Sequence, residues 1–144
     1  MPPSLYALLP LLLAVSSHAA IKTEVVEYKH DDKVLQGYFA YDDQVKGKRP
    51  AVFIVHEWYG HGPYARRRAE QLAKLGYLAF AGDMYGKGVF AKNHEEAGKL
   101  AGGVKGDYTL WLSRGLAGLA AMKNHPKADP DKLAAMGYCF GGGT

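Results

Sequence analysis

The sequence lacks several features that define particular classes of protein. Its 144 residues include one cysteine, Cys139, which excludes an intrachain disulfide, a cysteine-rich zinc site and a C-x-x-C redox pair. The basic excess is small, with 18 Lys and Arg against 14 Asp and Glu, and it forms no patch or module typical of nucleic-acid binding. Apolar residues at 48% and charged residues at 22% are ordinary for one globular domain. We therefore expect no nucleic-acid partner, no bound metal and no cofactor.

A long membrane-spanning run is also missing. The apolar stretch LYALLPLLLAV, residues 5–15, is too short to span a bilayer of ~30 Å as a helix. Small residues follow it, and Ser17 and Ala19 fit the small-x-small rule for signal-peptide cleavage. We therefore expect residues 1–19 to be a signal peptide and 20–144 to be exported, to the periplasm or outside the cell. Because no Lys or Arg follows Met1 before the run, a buried N-terminal helix or a misplaced start is the alternative.

The rest of the chain alternates between strand and helix patterns after an initial hairpin. The predicted strands are 21–30, 34–41, 51–55, 77–81 and 133–138, and the predicted helices are 63–75, 93–100 and 107–124. The run 51–55 is continuously apolar, which is typical of a strand buried on both faces of a parallel sheet. This order predicts an α/β fold with a mostly parallel sheet and helices on both faces.

Two details of the later elements are expected from their sequence. In helix 107–124 the apolar spacing predicts that Leu112, Leu116, Leu119 and Met122 point inward. The glycines at 115 and 118 weaken that helix but permit close approach to a sheet. Residues 129–131, DPD, predict a turn before the last strand.

The end of the chain carries the pattern G-x-C-x-G directly after a predicted strand. It reads Gly137-Tyr138-Cys139-Phe140-Gly141, the nucleophile-elbow pattern with Cys in place of Ser. Side chains two residues before and after the nucleophile would collide in this tight turn, which is why both positions need glycine. The alternative is a buried structural cysteine beside a glycine-rich turn.

The second element with chemical content is HEWYG, residues 56–60, just after the first buried strand. In α/β-hydrolases this loop supplies one backbone N–H of the oxyanion hole, and the residue after the nucleophile supplies the other. A zinc motif of the type H-E-x-x-H is disfavoured, since His61 stands five residues after His56. Gly60 and Pro63 would also break the helix that such a motif requires. His56 as a hydrogen-bonded residue that shapes the loop remains an alternative reading.

Three motifs in this order resemble those of the dienelactone hydrolase family (carboxymethylenebutenolidases). They are HEWYG at 56–60, GDMYG at 82–86 and GYCFGG at 137–142. The resemblance runs from about Ile21 to Thr144 and implies the α/β-hydrolase fold and hydrolysis of a small-molecule ester or lactone. By position, Cys139 resembles the nucleophile and Glu57 the carboxylate that accepts its proton. The backbone N–H groups of Trp58 and Phe140 would form the oxyanion hole.

The resemblance also implies substrate-binding residues after the second motif. The family places a substrate-binding Arg there, and Lys87 stands about where that Arg would be. A lysine can hold a carboxylate as a point charge, although without the bidentate fork of an arginine. Tyr85, together with Trp58, Tyr59 and Phe140, suggests a site with an aromatic-lined mouth, although aromatic residues near an elbow are as often part of the core.

One part of the family pattern is missing from these residues. The family triad runs Cys, Asp, His, with the last two beyond the elbow, whereas all six histidines here precede Cys139. We therefore expect residues 20–144 to be the amino-terminal portion of an α/β-hydrolase domain, incomplete at the C-terminus and inactive alone. The alternative from another class is a non-catalytic binding module that retains part of the fold.

Overall fold

The computed structural model describes residues 20–144; the predicted signal peptide lies outside the described residues. The elements are β1 (Ile21–His30), β2 (Lys33–Asp42), β3 (Arg49–Val55), α1 (Pro63–Lys74), β4 (Leu78–Gly82), α2 (His94–Lys105), α3 (Tyr108–Lys123) and β5 (Ala128–Gly137). A short 3-10 helix, Cys139–Gly143, follows β5. Every predicted strand and helix is present, and α2 continues past its predicted end. None of the helices described here is long and apolar enough to cross a membrane.

The five strands form one sheet in the order β1-β2-β4-β3-β5. The hairpin β1–β2 and the pair β2–β4 are antiparallel, whereas β4, β3 and β5 run parallel. In the parallel half, Val55 pairs with Gly82 on one side and with Gly137 on the other. The three sequence motifs begin at Gly82 and Gly137 and directly after Val55, so they meet at the carboxyl end of the parallel strands.

The strand β3 is buried on both faces, as its continuous apolar run predicts. Phe53 and Val55 belong to the core that α3 covers, while Val52 and Ile54 belong to the core that α1 covers. The helix α1 packs through small residues at helical spacing, namely Ala65, Ala69 and Ala73. Helices therefore cover both faces of the sheet around β3.

The prediction that Leu112 and Leu116 point inward is wrong. Their relative exposures are 44% and 54%, because α3 contacts the sheet through Gly118 and Met122. For Met122, which is fully buried, and for Leu119, which packs against the same core, the prediction is confirmed. A Cβ atom on Gly118 would lie 2.7 Å from the Phe53 ring, so the helix turns its smallest side toward the sheet, as the predicted close approach requires. Leu112 and Leu116 border an apolar groove of about 250 Å³ between α3 and β5.

The predicted turn at 129–131 lies inside β5 as an irregularity of the strand. Arg49 pairs with Ala128 and Ala51 pairs with Leu133, so the residues between them on β5 bulge out of the ladder. The Asp131 N–H donates a hydrogen bond to the Asp129 carboxylate at 3.1 Å, the local contact typical of an Asx turn. The strand therefore starts earlier than predicted and is interrupted where the turn was expected.

Candidate active site

Cys139 stands on the sharp turn that leaves β5, and its side chain is exposed. Its backbone φ is 53°, in the left-handed region that residues other than glycine adopt only at a cost. A Cβ atom on Gly137 would overlap the Gly141 carbonyl, and one on Gly141 would overlap the Val55 carbonyl. Both glycines are therefore required sterically, as the elbow pattern predicts.

The loop after β3 lies beside this elbow. The positions Val55 and Gly137 are paired, and Glu57 and Cys139 each follow two residues later on the adjacent parallel strand ends. The Tyr138 N–H donates to the Val55 carbonyl at 3.4 Å, which ties the elbow to the start of the loop. Within residues 20–144 no hydrogen bond or ion pair holds the Glu57 carboxylate.

No helix or strand of residues 20–144 uses the two backbone N–H groups that are expected to form the oxyanion hole. The first hydrogen bond of the 3-10 helix runs from the Gly141 N–H to the Tyr138 carbonyl, so the Phe140 N–H precedes the helical bonds. Trp58 lies outside every strand and helix of residues 20–144. The N–H groups of Trp58 and Phe140 thus lie on the two loops that meet at Cys139, and within residues 20–144 no loop or turn hydrogen bond uses either of them.

His56 joins the loop after β3 to the loop after β4. Its Nε2 accepts a hydrogen bond from the Met84 N–H at 3.1 Å, and its Nδ1 lies 2.5 Å from the Glu57 carbonyl oxygen. The side chain is buried, with a relative exposure of 1%, and this burial lowers the pKa of the imidazole despite the nearby Glu57 carbonyl. His56 is therefore a neutral structural residue of the loop.

Asp83 fixes the loop after β4. One carboxylate oxygen accepts the N–H groups of Tyr85 at 2.8 Å and Gly86 at 3.0 Å, and the other accepts the Gln36 N–H at 3.2 Å. The Tyr28 hydroxyl donates to the Asp83 carbonyl at 3.0 Å. Three backbone donors on one buried carboxylate explain the acidic residue of the second motif as a structural anchor.

Tyr85 lies beside the elbow, where the sequence places it. Its hydroxyl donates to the Trp58 carbonyl at 3.0 Å, and its ring centroid is 5.3 Å from that of Phe140. Burial first, and then the neighbouring Cys139, raise the pKa of this phenol. The hydroxyl is thus already engaged by the loop that carries Trp58.

Lys87 is not brought together with Cys139. Its ammonium group pairs with the Glu27 carboxylate on β1 at 2.5 Å, and its N–H donates to the Val34 carbonyl. Because β1 and β5 are the opposite edges of the sheet, Lys87 lies on the hairpin side and Cys139 on the other.

Aromatic rings flank the elbow and its neighbouring loop. The Trp58 ring makes edge contacts with Tyr59 at 5.8 Å and with His94 at 5.4 Å, and Trp111 stacks on Phe140 at 6.0 Å. Phe140 and Tyr85 themselves are buried, with relative exposures of 3% and 4%, and belong to the core that α3 covers.

His61 is the second histidine of the disfavoured zinc motif. Burial, followed by the charge of Arg66, lowers the pKa of His61 to about 4. Within the described part of the chain no group of three His, Cys, Asp or Glu side chains is arranged to hold a metal ion.

Sequence reasoning missed the anchoring network of Asp83 and left the role of His56 open. The signal available was their position, since each follows a buried strand directly, where polar side chains must find partners inside the fold. Those partners come from distant segments and could not be identified from spacing.

Comparisons with known proteins agree with this geometry. The model of the Dienelactone hydrolase family matches residues 35–144. A "Putative carboxymethylenebutenolidase" of Synechocystis sp. is 31% identical over 127 residues, covering 85% of this chain and 51% of that protein. One of Aquifex aeolicus is 32% identical over 123 residues, covering 83% and 52%.

A solved structure supports the same assignment. A dienelactone hydrolase-like promiscuous phosphotriesterase from metagenomic libraries superposes with a TM-score of 0.81 at 34% identity, covering 85% of this chain and 51% of that protein. The chain thus spans about half the length of these relatives, and its fold is that of the α/β-hydrolases. Its motifs, its fold and its relatives together place the chain in the dienelactone hydrolase family.

Proposed function

We propose that the complete protein hydrolyses ester or lactone bonds with Cys139 as its nucleophile. The observation that carries the proposal is the placement of an exposed cysteine on a left-handed turn beside the Glu57 loop. Such a turn presents the thiol at the carboxyl end of the parallel strands, where α/β folds bind their ligands. The family relationship supports the same reaction class.

The proposed chemistry uses groups from both loops. Glu57 accepts the proton of the Cys139 thiol, and the resulting thiolate attacks the carbonyl carbon of the substrate. The negative charge that forms on the carbonyl oxygen is stabilised by the N–H groups of Trp58 and Phe140. Collapse of this intermediate expels the alcohol, whose oxygen takes the proton held by Glu57, and leaves a thioester on Cys139. Water then hydrolyses the thioester to the free acid and restores the thiol.

We further propose that the Asp and His of the triad lie in additional sequence beyond Thr144. The relatives are about twice as long as this chain, and in the family order both residues follow the nucleophile. The edge strand β5 and the exposed Leu112 and Leu116 present an unpaired edge and an apolar groove that further strands and a helix would cover. An Asp followed by a His downstream, each after an apolar strand, supports this assignment; an immediate stop codon favours a binding module.

The test of the function is turnover of a small p-nitrophenyl ester by the complete reading frame. Cys139→Ala should reduce kcat by at least about 10³-fold, since removal of a nucleophile abolishes the covalent route. Residues 20–144 alone should turn over the ester inefficiently. Unchanged turnover by Cys139→Ala contradicts the assignment, as does brisk turnover by residues 20–144 that alkylation of Cys139 abolishes.

We also propose that residues 1–19 direct export and are removed. The support is the short apolar run followed by small residues. Mass spectrometry of the protein from its native host should show a mature chain that begins at Ala20, and an intact Met1 on an intracellular protein would contradict this.

A further inference from the structure

The peptide unit between Glu57 and Trp58 decides where one oxyanion donor points. The Glu57 carbonyl and the Trp58 N–H belong to the same planar trans peptide, so they point in opposite directions. A group that fixes the direction of this carbonyl therefore fixes the direction of the N–H as well. Two donors face that oxygen, the Nδ1 of His56 at 2.5 Å and the Gly60 N–H at 3.2 Å, and the imidazole is the nearer of the two.

The protonation of the imidazole follows from its second contact. The Met84 backbone N–H can only donate, and it faces Nε2 at 3.1 Å, so Nε2 carries the lone pair. In a neutral ring the proton is then on Nδ1, which donates to the Glu57 carbonyl. The His56 ring is also held by edge contact with Tyr85 at 4.8 Å and by stacking with Phe140 at 5.7 Å. The imidazole is therefore fixed in position and in tautomer.

We propose that His56 is a positioning residue of the oxyanion hole, which aims the Trp58 N–H at the substrate oxygen by holding the Glu57 carbonyl. The inference rests on the proposed function, since it assumes that Trp58 supplies one of the two donors. His56 touches neither the substrate nor Cys139 in this role. The Met84 N–H selects the tautomer of His56. Through this contact the loop after β4 influences the direction of the Trp58 N–H on the loop after β3.

Two amide substitutions separate the two contacts of the ring. The Asn side-chain nitrogen stands the same number of bonds from Cα as Nδ1, so His56→Asn keeps a donor for the Glu57 carbonyl and loses the contact with Met84. The Gln amide reaches as far as Nε2, so His56→Gln keeps the acceptor for Met84 and loses the donor to Glu57. Because each variant buries one amide group, each serves as the control for the effect of the other on the free energy of unfolding.

The experiment measures p-nitrophenyl ester hydrolysis by the complete reading frame. His56→Gln should lower kcat by about 10²-fold, the effect of losing one oxyanion donor, with KM within threefold of wild type. His56→Asn should stay within about fivefold. A trifluoromethyl ketone, which forms a tetrahedral adduct with the thiol, should bind more weakly to His56→Gln in step with kcat. Alkylation of Cys139 by iodoacetamide should proceed at an unchanged rate in both variants.

Each result supports or overturns the inference. Equal losses of kcat in the two variants, or a loss expressed in KM, would show that His56 acts only through folding or substrate contact. Equal hydrolysis by wild type and Cys139→Ala would overturn the proposed function and this inference together, whereas Cys139-dependent hydrolysis that His56→Gln leaves intact overturns this inference alone. The ¹⁵N shifts of the wild-type ring test the tautomer independently of variant folding, and a proton on Nε2 would overturn the inference.

Discussion

Substitution of one elbow glycine should disrupt the turn that carries Cys139. In Gly137→Ala the new methyl group would overlap the Gly141 carbonyl and lie 2.6 Å from the Gly142 nitrogen. These are backbone atoms, so no rotamer change relieves the overlap, and the cost should reach the upper end of overpacking penalties, about 3 kcal/mol. That is a large share of the total stability of an ordinary domain, roughly 5–15 kcal/mol.

The matched control for this change is Gly142→Ala in the same turn. The nearest atom to a Cβ there is the Gly137 oxygen at 3.6 Å, an ordinary contact, so we expect a change within about 0.5 kcal/mol. Urea unfolding of the complete protein, followed by tryptophan fluorescence, gives both free energies. The steric reasoning is refuted if Gly137→Ala and Gly142→Ala unfold with equal free energies and alkylate at Cys139 equally fast.

Two further predictions concern packing and pH. Gly118→Ala should destabilise the fold by about 1 kcal/mol, because the new methyl group, 2.7 Å from the Phe53 ring, costs more than the helix gains in propensity. Gly98→Ala has open space around it and should stabilise the fold by about 0.5–1 kcal/mol. Urea unfolding of both variants checks the sign of each change in free energy. Because the folded-state pKa of His61 is about 4 against an ordinary 6.5, the neutral ring stabilises the fold above pH 6.5, and this contribution, at most about 3 kcal/mol, is lost as pH falls from 6.5 to 4. His61→Asn should therefore flatten the fall in unfolding free energy over that range, and parallel wild-type and variant curves would contradict the assignment.

Local patterns were sufficient for the elbow and for the parallel half of the sheet. The glycines on both sides of Cys139 mark a turn whose steric cause lies within a few residues, and the run before His56 marks a strand buried on both faces. Once those strands are parallel neighbours, the adjacency of Glu57 and Cys139 follows from the register. The sequence therefore predicted which loops meet.

Placements that depend on distant segments could not be predicted. Lys87 is held by Glu27, 60 residues earlier, and His56 receives its hydrogen bond from Met84, 28 residues later. Neither partner has a periodic relation to the residue it contacts. The inward orientation predicted for Leu112 and Leu116 is wrong for a related reason. The helix α3 approaches the sheet at its smallest residue, Gly118, and hydrophobic spacing gives a glycine no weight.

The pairing of β3 with β5 has a consequence for how the chain folds. Val55 and Gly137 are joined across about 80 residues of sequence, so the contact requires closure of a long loop, and long-range parallel pairing forms slowly. Until it forms, nothing presses the elbow against the Val55 carbonyl or brings Glu57 near Cys139. We therefore expect the two loops of the proposed site to come together late in folding, when β3 and β5 pair.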